Sequence, residues 1–163
     1  MSRLIHGFHQ IGIIHSPFDN LSNMPIQPAG ASGIQGQIVL DQQYVPGLKD
    51  LDGFSHIYIL FIFHKSSETH LSVTPYLDTH VRGVFATRAP SRPNPIGLSI
   101  VHLLSIENNI LNIENLDMLD RTPVLDIKPF IPPFDEQVDV RIGWLTDIAI
   151  GVKQKRSDER FKN

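Results

Sequence analysis

The chain has 163 residues, of which 41% are hydrophobic and 19% are charged, and it contains no cysteine. This composition predicts one globular domain and excludes a disulfide framework, a thiolate metal site and a thiol nucleophile. The formal net charge of −3 argues against general positive charge for nucleic-acid binding, but it does not exclude a local basic patch. Because the sequence shows no signal core and no apolar run of membrane-spanning length, we expect a cytoplasmic protein that does not enter the membrane.

Short apolar or alternating segments, separated by Gly, Pro and Asn, predict an all-β fold. The predicted strands are 8–15, 34–40, 55–64, 83–87, 98–106, 110–118 and 138–144, with a hairpin turn at 107–109. Helical signal is limited to one short turn at 44–48, and 147–155 is ambiguous. Because strand–helix alternation and the Gly-x-Gly-x-x-Gly turn are absent, we expect a barrel-like, mostly antiparallel sheet with few short helices, not a Rossmann-type fold. We interpret 1–163 as a single domain in which 145–163 is a basic C-terminal tail or extension.

The segment 87–99 is the most informative part of the chain. It reads Thr-Arg-Ala-Pro-Ser-Arg-Pro-Asn-Pro-Ile-Gly-Leu-Ser and contains three prolines and one glycine. Proline fixes φ and pushes the preceding residue towards extended conformations, so we expect neither a helix nor a central strand here. The segment predicts a stiff loop that presents Arg88, Arg92 and Asn94 at defined positions. Since a plain connection needs only a few residues, we expect this loop to belong to a functional site.

A second group of polar residues lies between 116 and 134. Asp120, Thr122, Asp126 and Lys128 would project on one face if the chain is extended there. Carboxylates beside a lysine could bind ribose hydroxyls or an amine, or hold a proton-transfer group. The alternative is an ordinary turn at 120–123 followed by a surface ion pair. His64, at the end of an apolar segment, is either a structural histidine or a catalytic one.

Metal and serine-hydrolase chemistry have weak support. His6 and His9 do not have the spacing of a helical pair of metal ligands, and no cysteine is available. The Gly-x-Ser-x-Gly turn of a serine nucleophile is also absent. We therefore expect no metal site.

Taken together, these motifs resemble the TsaA/TrmO (YaeB-like) family. The most specific motif is 83–99, and 116–129 resembles the family's run Leu-Asp-x-x-Asp-Gly-Thr-Pro-x-Leu-Asp-Ile-Lys-Pro. Further family segments match at 11–18 and from 54 to 64, so that the likeness covers about residues 8–134. The resemblance implies an S-adenosylmethionine-dependent methyltransferase on a β-barrel, acting as a homodimer. The best-known family activity methylates the exocyclic amino nitrogen of threonylcarbamoyl-adenosine next to the tRNA anticodon.

The resemblance also implies roles for individual residues. Cofactor contacts would fall at Pro25, Gln27, His64, Lys65, Arg88, Leu98, Asp120, Thr122, Asp126 and Lys128. A sulfonium is cationic, so a carboxylate at 120 or 126 would favour its binding, while Arg88 can hold the methionine carboxylate. Asp126 and His64 are candidates for removing a proton from the acceptor. Residues Arg92, Asn94 and Arg121 are candidates for binding the substrate.

The chain departs from the family pattern in three ways. Ile26 stands where the family has arginine, Arg121 stands where it has glycine, and the further C-terminal domain of longer bacterial members does not follow before Asn163. Three hypotheses therefore stay open: a tRNA adenosine methyltransferase, a methyltransferase of a small molecule or protein, and a non-catalytic cofactor-binding module. Under the first, phosphate contacts would come from Lys65, Arg82, Arg92, Arg121 and the basic tail.

Overall fold

The computed structural model describes residues 7–21, 24–25, 30–76 and 78–146. Its strands are β1 (Gly12–His15), β2 (Gln35–Leu40), β3 (His56–Ile62), β4 (Ser72–Val73), β5 (Arg82–Gly83), β6 (Ile96–Glu107), β7 (Ile110–Glu114) and β8 (Thr122–Pro129). One short helix, α1 (Pro132–Asp135), and 3₁₀ turns at Gln42–Leu48, Leu51–Gly53, Val84–Ala86 and Gly143–Leu145 complete the described part of the chain. None of the helices in this part is long and apolar enough to cross a membrane.

Six of the strands close into an antiparallel barrel. Their order around the barrel is β1-β2-β7-β6-β3-β8, while β4 and β5 form a separate two-stranded sheet. The expected all-β, barrel-like, antiparallel fold with few short helices is confirmed. Closure follows from pairing both edges of the sheet, because β1 bonds to β2 on one side and to β8 on the other.

Alternation of side chains along the strands builds the barrel interior. In β3, Ile57, Ile59 and Phe61 are buried, and the residues between them face outwards. Neighbouring strands contribute the same period of two, so the interior is a continuous apolar core. Gly97 in β6 lies opposite Phe61, and the Phe61 ring occupies the space that a Cβ at Gly97 would need.

Two predicted strands are wrong. Of 83–87, only the first residue belongs to a strand, and Val84–Ala86 forms a 3₁₀ turn. The segment 138–144 forms no strand although its apolar residues alternate, and Val138 is 89% exposed. The closed barrel offers no free edge, and in the described part of the chain the segment pairs with neither strand of the separate β4–β5 sheet.

The segment 87–99 differs from the expectation at its end. Ile96–Ser99 belongs to β6, which lies between β3 and β7, so the exclusion of a central strand is wrong for these four residues. Pro95 is the last proline before β6, and every residue of β6 therefore has a backbone N–H that can join the strand pairing. The predicted hairpin turn is confirmed, with Asn108 in the left-handed region at φ 57° between β6 and β7.

A β-bulge in β8 changes which residues face the barrel interior. Leu60 pairs with Asp126, but the next residue, Phe61, pairs with Val124, which leaves Leu125 as the extra residue. The expected single face for residues 120 to 128 is therefore wrong. Buried Thr122 lies before the bulge, whereas beyond it Ile127, opposite Ile59, takes the inward face.

Candidate active site

A cavity of about 810 Å³ opens at one end of the barrel. The barrel side of the cavity is lined by the end of β3, the start of β6, residues 117–119 and residue 122. The opposite side, which we call the outer wall, is lined by residues 75–76, 85–90, 92 and 144–145. Because β3 ends where β6 and β8 begin, antiparallel pairing brings these three strand ends together at one mouth.

The proline-containing loop within 87–99 is held in place by hydrogen bonds within the loop and to the segments before it. Thr87 Oγ1 donates to the Val84 carbonyl at 2.9 Å, and Arg92 Nη1 donates to the carbonyls of Thr87 and Ala89, each at 3.1 Å. The carbonyl of buried Ser91 accepts the backbone N–H of His70 at 3.1 Å. These contacts support a stiff loop, and they give the Arg92 guanidinium a role in holding it.

A carboxyl group lies at the mouth of the barrel. Asp117 lines the cavity, and its Oδ1 accepts a hydrogen bond of 2.8 Å from Ser99 Oγ. Burial raises the pKa of Asp117 to about 6, while the Ser99 hydrogen bond and the positive charge of Arg88 act in the opposite direction. The sequence reasoning missed Asp117, although it opens the Leu-Asp run at 116–117.

His64 lies at the same mouth, directly after β3. Burial, followed by the positive charge of Lys65, lowers the pKa of His64, and Asp120 acts in the opposite direction. Thr122 Oγ1 lies 3.3 Å from His64 Nδ1. The imidazole is therefore predominantly neutral near neutral pH and has a hydroxyl partner that orients its ring.

The cavity combines charges of opposite sign. Arg88 and Lys65 are exposed side chains that line it, and Asp117 lies on the barrel side. Apolar side chains fill the surface between these groups, including Phe61, Phe63, Ile96, Leu98 and Met118. Such a lining suits a ligand that has both an apolar body and charged groups.

The structure brings together many, but not all, of the residues selected from the sequence. Those that line the cavity are Pro25, His64, Lys65, Arg88, Arg92, Leu98 and Thr122. Those described outside the lining are Asn94, Asp120, Arg121, Asp126 and Lys128. Gln27, Ile26 and the tail from residue 147 onwards lie outside the described residues.

The acidic residues outside the lining have partners elsewhere. Asp126 Oδ2 lies 2.7 Å from Lys128 Nζ, and the two side chains are 44% and 60% exposed. This is the surface ion pair that was the alternative for these residues. Asp120 Oδ1 accepts the backbone N–H of Ser16 at 3.2 Å and lies 3.3 Å from His15 Nδ1, so it connects the segment before β8 to the end of β1.

Arg121 adopts the conformation that a glycine would adopt easily. Its φ is 63°, and its N–H donates to the Ile14 carbonyl at 2.8 Å. The left-handed turn is therefore kept, at a cost in backbone strain, because a Cβ disfavours this region.

Comparisons with known proteins identify the family of the chain. Residues 13–136 match the family model described as the tRNA-methyltransferase O N-terminal domain. The chain belongs to the TrmO family. A probable S-adenosyl-L-methionine-binding protein of Pyrococcus abyssi is 47% identical over 154 residues, which cover 94% of this chain and 84% of that relative.

Two further relatives are longer than the matched region. The tRNA (adenine(37)-N6)-methyltransferase of Escherichia coli is 41% identical over 135 residues, covering 77% of this chain but 57% of the relative. A crystal structure of TrmO from Pseudomonas aeruginosa superposes with a TM-score of 0.73 at 38% identity, covering 86% of this chain and 63% of that one. The chain thus spans about three fifths of these two TrmO proteins.

Proposed function

We propose that this chain is an S-adenosylmethionine-dependent methyltransferase that modifies the exocyclic amino nitrogen of threonylcarbamoyl-adenosine next to the tRNA anticodon. The observation that carries the proposal is that Asp117 and Arg88, two groups of opposite charge, both line one largely apolar cavity. Relatives that are named S-adenosyl-L-methionine-binding proteins and tRNA (adenine(37)-N6)-methyltransferases support it.

The lining of the cavity fits the cofactor. A guanidinium such as Arg88 suits the carboxylate of the methionine part, and the carboxylate of Asp117 favours a neighbouring cationic sulfonium. Apolar side chains such as Phe61 and Leu98 suit the uncharged body of the molecule, and the volume of about 810 Å³ lies in the range of small-molecule sites. We propose further cofactor contacts at Pro25, Gln27, His64, Lys65 and Thr122.

The cofactor supplies a methyl group on a positively charged sulfur. We propose that Asp117 Oδ2 would accept the proton that the acceptor nitrogen releases as the new nitrogen–carbon bond forms and the sulfur–methyl bond breaks, with an uncharged thioether as the leaving group. Ser99 holds the other carboxylate oxygen and so fixes the orientation of the group. The geometry favours Asp117 over Asp126 for this step, because Asp126 does not line the cavity.

His64 completes the proposed mechanism as an orienting group. Its pKa is lowered, so the neutral imidazole adds no second positive charge beside the sulfonium. Hydrogen bonding to Thr122 fixes the ring, and an oriented neutral imidazole can place the acceptor. Most of the rate would then come from positioning and from a single proton transfer.

We also propose that the protein acts as a homodimer in the cytoplasm. The outer face of β3 and β6 pairs Leu60 with Leu98 and Tyr58 with Ile100. Leu98 is 48% exposed on this face and also lines the cavity, so a second copy packed there would border the site. Replacing Ile100 with Glu should yield a monomer by light scattering, whereas an unchanged mass would contradict this interface.

For tRNA phosphates, the described residues offer Lys65 and Arg121 as exposed cations. Arg92 is engaged by loop carbonyls, and Arg82 is paired with Asp78, so both are less suited to the role. Phosphate contact predicts that tRNA binding weakens steeply with salt.

The deciding experiment transfers tritiated methyl groups from the cofactor to total tRNA with and without the threonylcarbamoyl modification. We expect label in modified tRNA only, and its loss in the Asp117→Asn variant. If calorimetry shows that the cofactor binds but no label enters tRNA, the proposal fails. Label in a protein or metabolite fraction would support the second hypothesis, and binding without turnover on any acceptor would support the third.

A further inference from the structure

The 3₁₀ turn Gly143–Leu145 lies beyond the part of the chain that matches the family model, which ends at residue 136. It nevertheless contributes Trp144 and Leu145 to the outer wall of the cavity. Trp144 is the single tryptophan of the whole sequence. The match to the family model therefore does not cover Trp144, although this residue lines the cavity.

Two contacts hold the indole of Trp144 in position. Its Nε1–H donates to the Ala86 carbonyl at 2.9 Å, in the 3₁₀ turn that follows β5. The guanidinium carbon of Arg82 lies 5.3 Å from the centre of the Trp144 ring, which is a cation–π arrangement. The indole is therefore held at its edge by the Nε1–H hydrogen bond, and the Arg82 cation lies over one face of its ring.

The cation over the ring is itself anchored. Arg82 Nε and Nη2 lie 2.8 and 2.7 Å from Asp78 Oδ2, and the Asp78 side chain is 4% exposed. His80 Nδ1 lies 2.9 Å from Asp78 Oδ1. Hydrogen bonding to His80 and Arg82 holds the pKa of Asp78 well below its ordinary value, so this carboxylate keeps its charge. A buried anion thus orients Arg82, and Arg82 orients the indole.

A flat aromatic ring that is held rigidly beside a cavity loses little entropy when it packs against another flat ring. Purines stack on tryptophan in preference to aliphatic surfaces, because both partners are planar and polarisable. The outer wall also carries the aromatic rings of Tyr76 and Phe85, with Phe85 76% exposed. The charged groups proposed for the carboxylate and the sulfonium of the cofactor are Arg88, on the same outer wall, and Asp117, on the barrel side.

We propose that Trp144 is a purine-binding residue of this cavity, with its indole packed against an adenine ring. The inference rests on the proposed function, which supplies two sources of that ring: the adenosine of the cofactor and the target adenosine of the RNA. Asp78 and Arg82 are positioning residues that hold the indole in place. The 3₁₀ turn Gly143–Leu145 is thereby part of the binding site.

The test uses the emission of the single tryptophan in the full chain. We titrate S-adenosylhomocysteine, an anticodon stem-loop RNA with the target adenosine, and homocysteine as a ligand without a purine. We expect quenching by a purine ligand and none by homocysteine. Quenching by S-adenosylhomocysteine alone identifies the cofactor as the source of the ring, and quenching by the RNA alone identifies the target base. Silence towards both purine ligands overturns the proposal.

Calorimetry with variants separates stacking from a structural role. Trp144→Ala should weaken binding of the quenching ligand by about tenfold, and Trp144→Phe should keep most of the affinity. Phe134→Ala is the matched control, since Phe134 is 73% exposed and does not line the cavity. Unchanged affinity in a folded Trp144→Ala protein also overturns the proposal. Because these readouts require no turnover, they can fail while methyl transfer to tRNA succeeds, and the reverse.

Discussion

Ser99 Oγ donates a hydrogen bond of 2.8 Å to Asp117 Oδ1, which joins the start of β6 to the segment before β8. Ser99 faces inwards from the barrel wall and is 4% exposed. The bond therefore holds a carboxyl group at the mouth of the barrel, where burial raises its pKa to about 6. Such a group is mostly ionised near neutral pH and is still a stronger base than an exposed aspartate.

Replacing Asp117 with Asn should slow methyl transfer by about 100-fold, the lower end of what a general base contributes. S-adenosylhomocysteine has an uncharged sulfur, so its affinity should change little. Single-turnover transfer and calorimetry measure the two quantities. Asp126→Asn is the matched control and should change the rate by less than about twofold, because Asp126 pairs with Lys128 outside the cavity lining. Equal losses in both variants would contradict the assignment.

The pH dependence of transfer should report the Asp117 carboxyl. The ionised form accepts the proton, so kcat/KM should rise with pH through a midpoint near the pKa of about 6 and then level off. The Ser99 hydrogen bond lowers the pKa of Asp117, so Ser99→Ala should move the midpoint to higher pH. An unchanged midpoint in the Ser99→Ala variant would mean that the pH profile of kcat/KM does not report the Asp117 carboxyl.

Ionisation of Asp117 with rising pH should lower the stability of the fold, whereas it should raise the activity. Its pKa in the folded protein is raised from 3.8 to about 6, so the folded state favours the protonated form. The associated stability is present at pH below the unfolded value and is lost as pH rises through about 6. We expect Asp117→Asn to melt at a higher temperature than the unaltered protein at alkaline pH, with a smaller difference at acidic pH. Melting curves across pH test this, and a variant that is less stable at alkaline pH would refute it.

Replacing Arg121 with Gly should stabilise the fold. Relief of the left-handed strain at φ 63° outweighs the extra entropy of glycine in the unfolded chain, for a net gain of about 0.5 kcal/mol. Urea unfolding measures the gain. Asn108→Gly is the control with a smaller effect, since asparagine tolerates its φ of 57°. A loss of stability would mean that the Arg121 side chain contributes more than its backbone costs.

Gly97 should not accept a side chain. A Cβ there would overlap the Phe61 ring, which lines the cavity and packs edge-to-face on Phe63 at a centroid distance of 5.1 Å. Gly97→Ala should cost about 1–3 kcal/mol of folding free energy and weaken binding of S-adenosylhomocysteine. Gly47→Ala is the control, because nothing lies near the position of its added Cβ. Urea unfolding measures the stability and calorimetry measures the binding. Equal changes in the Gly97→Ala and Gly47→Ala variants would contradict the prediction.

Much of the fold and of one wall of the site could be predicted from local chemistry. The nearly continuous apolar run 55–64 and the apolar segment 98–106 predicted strands, although β3 proves to be buried on one face only. The prolines between 87 and 95 predicted a stiff loop that presents Arg88, and Arg88 lines the cavity. Prediction from the local pattern failed where strand formation depends on pairing with a distant strand. The alternating segment 138–144 is not a strand: the closed barrel has no edge to receive it, and the segment pairs with neither β4 nor β5.

The sequence by itself determined the barrel class, the rigid loop and the family, since these depend on local backbone preferences and on motifs. Only the tertiary structure decided which acidic residues share the cavity. The bulge at Leu125 breaks the period of two in β8, while pairing of distant strands brings Asp117 against Ser99. Trp144 lies on the cavity only because Ala86 and Arg82, far away in sequence, hold it there. Such contacts depend on register and closure, which no local pattern encodes.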